Sequence, residues 1–304
     1  QQLRWIEEQR TLKPDNWTRY DTDWKKETLK DNSLMHSHNV TVSGGSEDIS
    51  FFASGSYLSQ DGLIPNDNFD RTNLRLNADA KILSWMKLGI ETNLRQSNLL
   101  NPGISTPKAI INQALYMLPH ISAAKELDGN WGYGKNGINP TAAANASGEK
   151  KVRTSEALVN GTLTFTPIKG LELIGQYSRR QVSKRTRTLI TPYLTSLSGM
   201  VKAEYPDHDS LKEEWEQTVR NYYRAQASYE RAMNDHYAKL LVGFQAEDSE
   251  FTSFYGAKQG FDLERYYLDN GDGSTASSGG GANSWAMMSW YGRLNYNYQQ
   301  RYLL

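Results

Sequence analysis

Few residues in this 304-residue sequence are placed to do bond-making chemistry. His36 and His38 lie two apart in an extended segment and share one side of it, but neither has a carboxylate at ligand spacing, which argues against a metal site. His236 follows Asp235 at a turn and reads as a local hydrogen-bonding residue. Asp269-Asn270-Gly271-Asp272-Gly273-Ser274 has the opening of a calcium loop without the Glu that closes one, and Ser277-Ser278-Gly279-Gly280-Gly281 follows it. A flexible loop is the better reading, with loose calcium binding by its carboxylates the one cofactor left open. Leu211-Lys212-Glu213-Glu214-Trp215-Glu216 reads as a solvated loop-to-strand transition, because nothing sets a nucleophile or a sugar between defined carboxylates. With no cysteine in the chain, thiolate chemistry and disulfides are excluded as well. The sequence does not describe an enzyme, and no catalytic or metal-binding residue is assigned.

The residues with recognition chemistry are aromatic. Tyr116, Trp131, Tyr133, Tyr193, Tyr255, Tyr266 and Tyr267 all fall in long segments between regular elements. Aromatic faces stack on sugar rings and also anchor protein partners. Lys and Arg together number 34 and Asp and Glu 34, so no net field is available to attract nucleic acid. Mean hydropathy is −0.69, and no run approaches the ~18 apolar residues of a spanning helix.

The elements that position these aromatics are strands. From Asn73 to Ile82 every even residue is apolar and every odd one polar; after a turn at Leu83-Ser84-Trp85-Met86 the alternation resumes with Leu88, Ile90 and Leu94 opposite Lys87, Glu91 and Arg95. The same grammar gives hairpins around Gly44 to Asp48, around Thr166 to Gly170 and around Met233 to Asp235, and a fifth that turns at Gln299-Gln300. Short turns alternate with long segments, from Gln60 to Asp70, Asn98 to Arg153, Arg185 to Thr218 and Glu250 to Ser284. A soluble sandwich rarely carries such connections. A transmembrane barrel does, with short periplasmic turns, long extracellular loops and strands of ~9–11 residues alternating apolar-out and polar-in. The expected fold is therefore an all-β antiparallel transmembrane barrel. Leu74, Leu76, Ala78, Leu88, Ile90 and Leu94 are expected to face lipid, and Arg75, Asp79, Lys87, Glu91 and Arg95 the lumen. Pro107 to Leu118 has helical spacing and is expected to fold the longest loop over the rim. Trp85, Tyr229, Tyr296 and Tyr298, near the short turns, read as an interfacial girdle.

Several stretches resemble the SusC/RagA-like TonB-dependent transporters of the Bacteroidota. They are Tyr20-Asp21-Thr22-Asp23-Trp24 followed by His38-Asn39-Val40-Thr41-Val42-Ser43-Gly44-Gly45, then Phe69 to Asn77, Trp85 to Gly89, Gly137-Ile138-Asn139-Pro140, Gly170 to Leu173, His236 with Gly243-Phe244-Gln245, and Tyr291 to Tyr296 with Arg301-Tyr302-Leu303-Leu304. The resemblance implies a plugged barrel of about 22 strands, energised by TonB, with a SusD-like surface lipoprotein as its lid. It implies outer-membrane uptake of a large nutrient, a glycan or an oligopeptide. Residues 1–35 are expected to link plug to barrel, and 36–304 to form the first part of the barrel with about ten strands begun. The plug and the remaining barrel are expected to lie outside this sequence, which opens without a signal peptide and stops within a strand pattern. The rival reading is a surface adhesin or lectin-like β-protein without transport.

Overall fold

The computed structural model describes residues 4, 20–197, 200–261, 265–299 and 302–303. Its main feature is one antiparallel sheet of ten strands, each paired with its neighbour in the chain apart from the short strands of the loops. These are β1 (Met35–Gly45), β2 (Ile49–Asp61), β3 (Asn68–Leu83), β4 (Met86–Pro102), β6 (Gly148–Phe165), β7 (Leu171–Ile190), β10 (Ser210–Met233), β11 (His236–Gln259), β12 (Ser277–Tyr298) and β13 (Tyr302–Leu303). A second, three-stranded sheet joins β5 (Trp131–Gly132), β8 (Tyr193–Leu197) and β9 (Met200–Tyr205). No helix among the described residues is long and apolar enough to cross a membrane.

Each short turn falls where turn chemistry places it. β10 and β11 are joined by Asn234 and Asp235 alone, with Asn234 at φ 53°. Asparagine tolerates that left-handed geometry, which two-residue hairpin turns require. Ser46 donates its backbone N–H to Ile49 O at 2.6 Å to close the β1–β2 turn. The β6–β7 turn carries Gly170 at φ 87°, and a Cβ there would stand 2.2 Å from Glu230 O. Gly170 O also accepts the Glu230 N–H at 2.8 Å, so this turn is braced against β10. His236, just after the β10–β11 turn, reaches across to the next strand, its Nδ1 lying 2.7 Å from the hydroxyl of Tyr296 on β12.

One expectation is corrected. The strands are far longer than a bilayer needs: β10 and β11 each have 24 residues, about 80 Å of extended chain. Much of what reads as loop therefore belongs to strands. Leu211 to Glu216 lies inside β10, and the connection read from Glu250 begins only after Gln259. The physical reason is that alternation is kept only where one face of a strand is apolar, so it stops in these stretches while the backbone pairing continues. The chain enters β1 from the end of the sheet that carries the long connections. Asp61 N donates to Leu34 O, and Lys30 N to Leu63 O. Residues 20–34, the described part of the segment expected to lead from plug to barrel, thus fold among the loops; residues 5–19 lie outside the described residues.

Register sorts the side chains into two faces. Leu74 pairs with Leu94, Ala78 with Ile90 and Ala80 with Leu88 across β3–β4. The same face continues through Leu88 to Leu163, Tyr177 to Tyr223, Ala225 to Phe244 and Phe244 to Trp290. Leu76 is 55% exposed, Val242 50% and Trp290 80%. A contiguous apolar band this exposed is made to meet lipid or protein. Near the turns, Trp85 stacks on Phe165 at 6.1 Å.

Replacing Gly170 by Val should cost about 1–3 kcal/mol, since the left-handed backbone and the contact with Glu230 both resist a Cβ. Urea titration of the full-length protein refolded into vesicles checks this; a midpoint equal to that of the native protein would contradict the bracing role.

Candidate functional site

The long β4–β6 connection, 103–147, is a folded cap. Its first helix, α2 (Pro107–Tyr116), occupies most of the expected helical stretch; Thr106 caps it by accepting the Ala109 N–H at 3.3 Å, and Pro107 stands in its first turn. The second, α3 (Pro140–Ala146), starts at Asn139, which is fully buried. The Asn139 Oδ1 accepts the N–H groups of Thr141 and Ala142 at 3.0 and 3.1 Å, while its Nδ2 donates to Ala124 O and Gly132 O, both at 2.8 Å. One side chain thus caps a helix and ties down two stretches of coil. Ile64, Ile110, Ala143 and Ala144 form one small core, and Trp24, Ala114 and Ala124 a second. Trp24 belongs to α1 (Trp24–Thr28), and its Nε1 donates to Leu118 O at 3.1 Å. The cap, the residues before β1 and the β2–β3 connection are one packed unit.

The seven aromatics divide between two places. Trp131 and Tyr193 lie on β5 and β8 of the small sheet. Trp131 is half-buried beneath the Lys125 ammonium, 5.3 Å from the ring centre. Tyr193 is 5% exposed and packs on Tyr205 at 5.9 Å, and burial pushes its phenol well above the ordinary tyrosine range. It therefore serves the interior of the loop. Tyr133 is half-buried beside Gly137, and Tyr116, at the end of α2, is 83% exposed. At the β11–β12 end, Tyr255 lies on the strand itself, with Lys212 Nζ 4.6 Å from its ring centre. Tyr266 meets Phe261 edge-on at 5.4 Å and its carbonyl accepts Arg187 Nη2 at 2.9 Å. Tyr267 is exposed. Sequence reading missed Asp209, whose carboxylate accepts the N–H groups of Gly260 and Phe261 and anchors this connection to the start of β10. The signal for it was an Asp just before a long strand, which is too common to single out.

Arg75, Asp79, Lys87, Glu91 and Arg95 share the face opposite the apolar band, because Asp79 pairs with Gly89 and Asn73 with Arg95. This wall is cross-linked along the strands' width. Glu156 is held between Arg95 and Arg180, the latter with Nε 2.6 Å from Oε1. Asn160 donates to Glu91 Oε2 at 3.3 Å and accepts from Gln176 at 2.8 Å. Further round, Tyr291 covers Gly243 and donates to Gln226 at 3.2 Å. Arg75 lies over the Phe52 ring at 5.8 Å. The wall is hydrogen-bonding and near charge balance, suited to lining water rather than to attracting one sign of ion.

Among the described residues no three His, Cys, Asp or Glu side chains converge as a metal set. In the calcium-like stretch the Asp272 carboxylate turns back on its own loop, accepting the Ser274 N–H and hydroxyl, each at 2.8 Å. Those bonds hold its pKa below the usual carboxylate range.

No family model matches the chain. A curated relative, the TonB-dependent receptor P3 of Formosa agariphila, is 25% identical over 300 residues, which are 93% of this chain and 28% of the relative. A solved structure of the RagAB peptide transporter superposes with a TM-score of 0.76 at 21% identity, over 93% of this chain and 32% of that one. The RagAB importer in its open-open state matches with a TM-score of 0.76 at 22% identity, over 92% and 31%. The fold is thus that of a segment of a TonB-dependent barrel. The chain spans 28% of the curated relative and less than a third of the solved chains whose fold it shares.

Changing Asn139 to Ala removes a helix cap and leaves buried backbone groups without their partner, at a cost of about 2–4 kcal/mol to the cap. Limited proteolysis of the full-length protein should then cut within 103–147 while the barrel keeps its heat resistance. Resistance of the loop equal to the native protein's would show that Asn139 is dispensable.

Proposed function

We propose that this segment is part of the wall and mouth of an outer-membrane transporter that takes up a large nutrient, energised through TonB by regions outside this sequence and closed by a SusD-like lipoprotein. The observation that carries the reading is the sheet's two-sidedness. Nine successive strands place apolar residues on one face and a cross-linked polar wall on the other, and every long connection leaves from the same end. The apolar face meets lipid and the face with Arg75, Asp79, Lys87, Glu91 and Arg95 lines the lumen. The folded cap and the exposed Tyr116 and Tyr267 form the rim where substrate and lid arrive. No bond is made or broken in this reading.

Both a glycan and an oligopeptide suit a mouth of aromatic and hydrogen-bonding groups. The RagAB structures, described as a peptide transporter and importer, support the oligopeptide. Comparing uptake of labelled oligopeptides and oligosaccharides by cells carrying the full-length protein decides between them. Deleting 103–147 should abolish that uptake while the barrel still inserts; normal uptake would move the binding site elsewhere.

Orientation is tested separately. Arg in place of Leu76 or Val242 should destabilise the protein in vesicles by about 2–4 kcal/mol, whereas Arg in place of Thr162 or Asn77, on the polar face, should cost much less. The reverse order, measured by urea titration, would place the charged wall outside and end the barrel reading.

A further inference from the structure

Above the apolar band, on the same face, lies a cluster of cations that the transport reading does not use. The register aligns Asp70, Asn98, Arg153, Arg185, Trp215 and Phe254 in one row across six strands. In the next row Lys151 pairs with Arg187, and Arg187 with Glu213. Together they line a cavity of about 910 Å³. Lys151 and Arg187 are neutralised locally, since both reach Glu149 and Arg187 also reaches Glu213. The guanidiniums of Arg153 and Arg185 are different. Arg153 Nε donates to the neutral Asn98 Oδ1 at 3.2 Å, and neither arginine has a carboxylate partner among the described residues. They stand directly opposite each other across β6–β7 and both are exposed. Asp70, Glu213 and Glu214 line the same cavity but none of them pairs with either arginine, so the two adjacent cations repel each other and a bound anion would relieve this. Beside them Trp215 stacks on Phe254 at 5.2 Å, an aromatic pair at the edge of the same cavity.

Depth identifies the anion. Arg153 lies 12 residues along β6 from Phe165, at the turn end of the band. That is about 40 Å of strand and, at a tilt near 40°, about 30 Å along the membrane normal, the thickness of the hydrocarbon layer. The arginines therefore stand level with the headgroups of the leaflet on the loop side. Arginine is suited to bidentate phosphate binding, and basic pockets at headgroup level hold phosphorylated lipids. We propose that Arg153 and Arg185 bind the phosphate of a phosphorylated glycolipid of the outer leaflet, with Trp215 and Phe254 against its sugar or the start of its acyl chains. The proposal rests on the face assignment made above.

The test uses the full-length protein in detergent, with a bis-phosphorylated, acylated diglucosamine lipid and its dephosphorylated form as probes, retention being read by native mass spectrometry. The phosphorylated lipid should be retained and the dephosphorylated one should not. R153Q/R185Q should weaken retention by about tenfold or more, and R153K/R185K should keep most of it. Equal retention by the Gln double variant, or of the dephosphorylated lipid, would overturn the site. So would full competition by inorganic phosphate at the lipid's concentration, which would make the ligand a soluble anion. A lipid-dissolved maleimide separates the two readings. Labelling of Leu76→Cys but not Arg75→Cys, with normal lipid binding by R153Q/R185Q, would leave the face assignment standing and remove the site alone. The opposite labelling pattern would remove both.

Discussion

Backbone pairing is the constraint on which everything else here depends. In hydrocarbon an N–H or C=O group without a partner costs several kcal/mol, so a strand that crosses must be matched residue for residue by its neighbours. The strands from β2 to β11 meet that demand on both sides, with a single register shift between Lys81 and Leu83, beside a turn, while the sheet stays open at the outer edges of β1 and β12. Because the side-chain period is two, an unbroken register also decides which side every residue takes. Glu156 can be shared by Arg95 on one neighbour and Arg180 on the other only because three strands keep step over their whole length. Lipid side, polar wall and loop end are therefore consequences of one ladder.

The same constraint explains what could be read from the residues alone. Where one face meets an apolar phase, alternation is enforced, and Asn73 to Ile82 shows it without exception. The turns were legible because Asn234 and Gly170 take a left-handed backbone that few residues tolerate, and because Gly45 stands where a Cβ would meet Ile49 O at 2.5 Å. Above the band both faces meet water, selection on alternation lapses, and Leu211 to Glu216 places charges on both sides of a strand that is paired throughout. The length of the strands was invisible for that reason, and Tyr255, read as loop, lies on β11.

The loop cap shows a different limit. Pro107 and Pro140, each following a capping residue, announce two helix starts, and the family-like Gly137-Ile138-Asn139-Pro140 contains one of them. What no local pattern announces is that Asn139 also serves Ala124 and Gly132, or that Trp24, about 90 residues away in sequence, closes the second core. These are tertiary contacts between segments of no periodicity. Of the aromatics singled out from the sequence, Tyr193 turns inward because the small sheet needs a core of its own.

The strands lengthen steadily around the sheet, from 11 residues in β1 and 13 in β2 to 24 in β10 and β11. The cap built from 103–147 gathers in α1 and the β2–β3 connection, over the shorter strands. A wall cut on a slant is in this way brought toward one height by two different materials, rigid ribbon on the tall side and a small helical plug of loop on the low side. Any body seated across that rim would rest on surfaces of unequal compliance, a continuous ladder on one side and, on the other, two small apolar cores tied together by the buried Asn139.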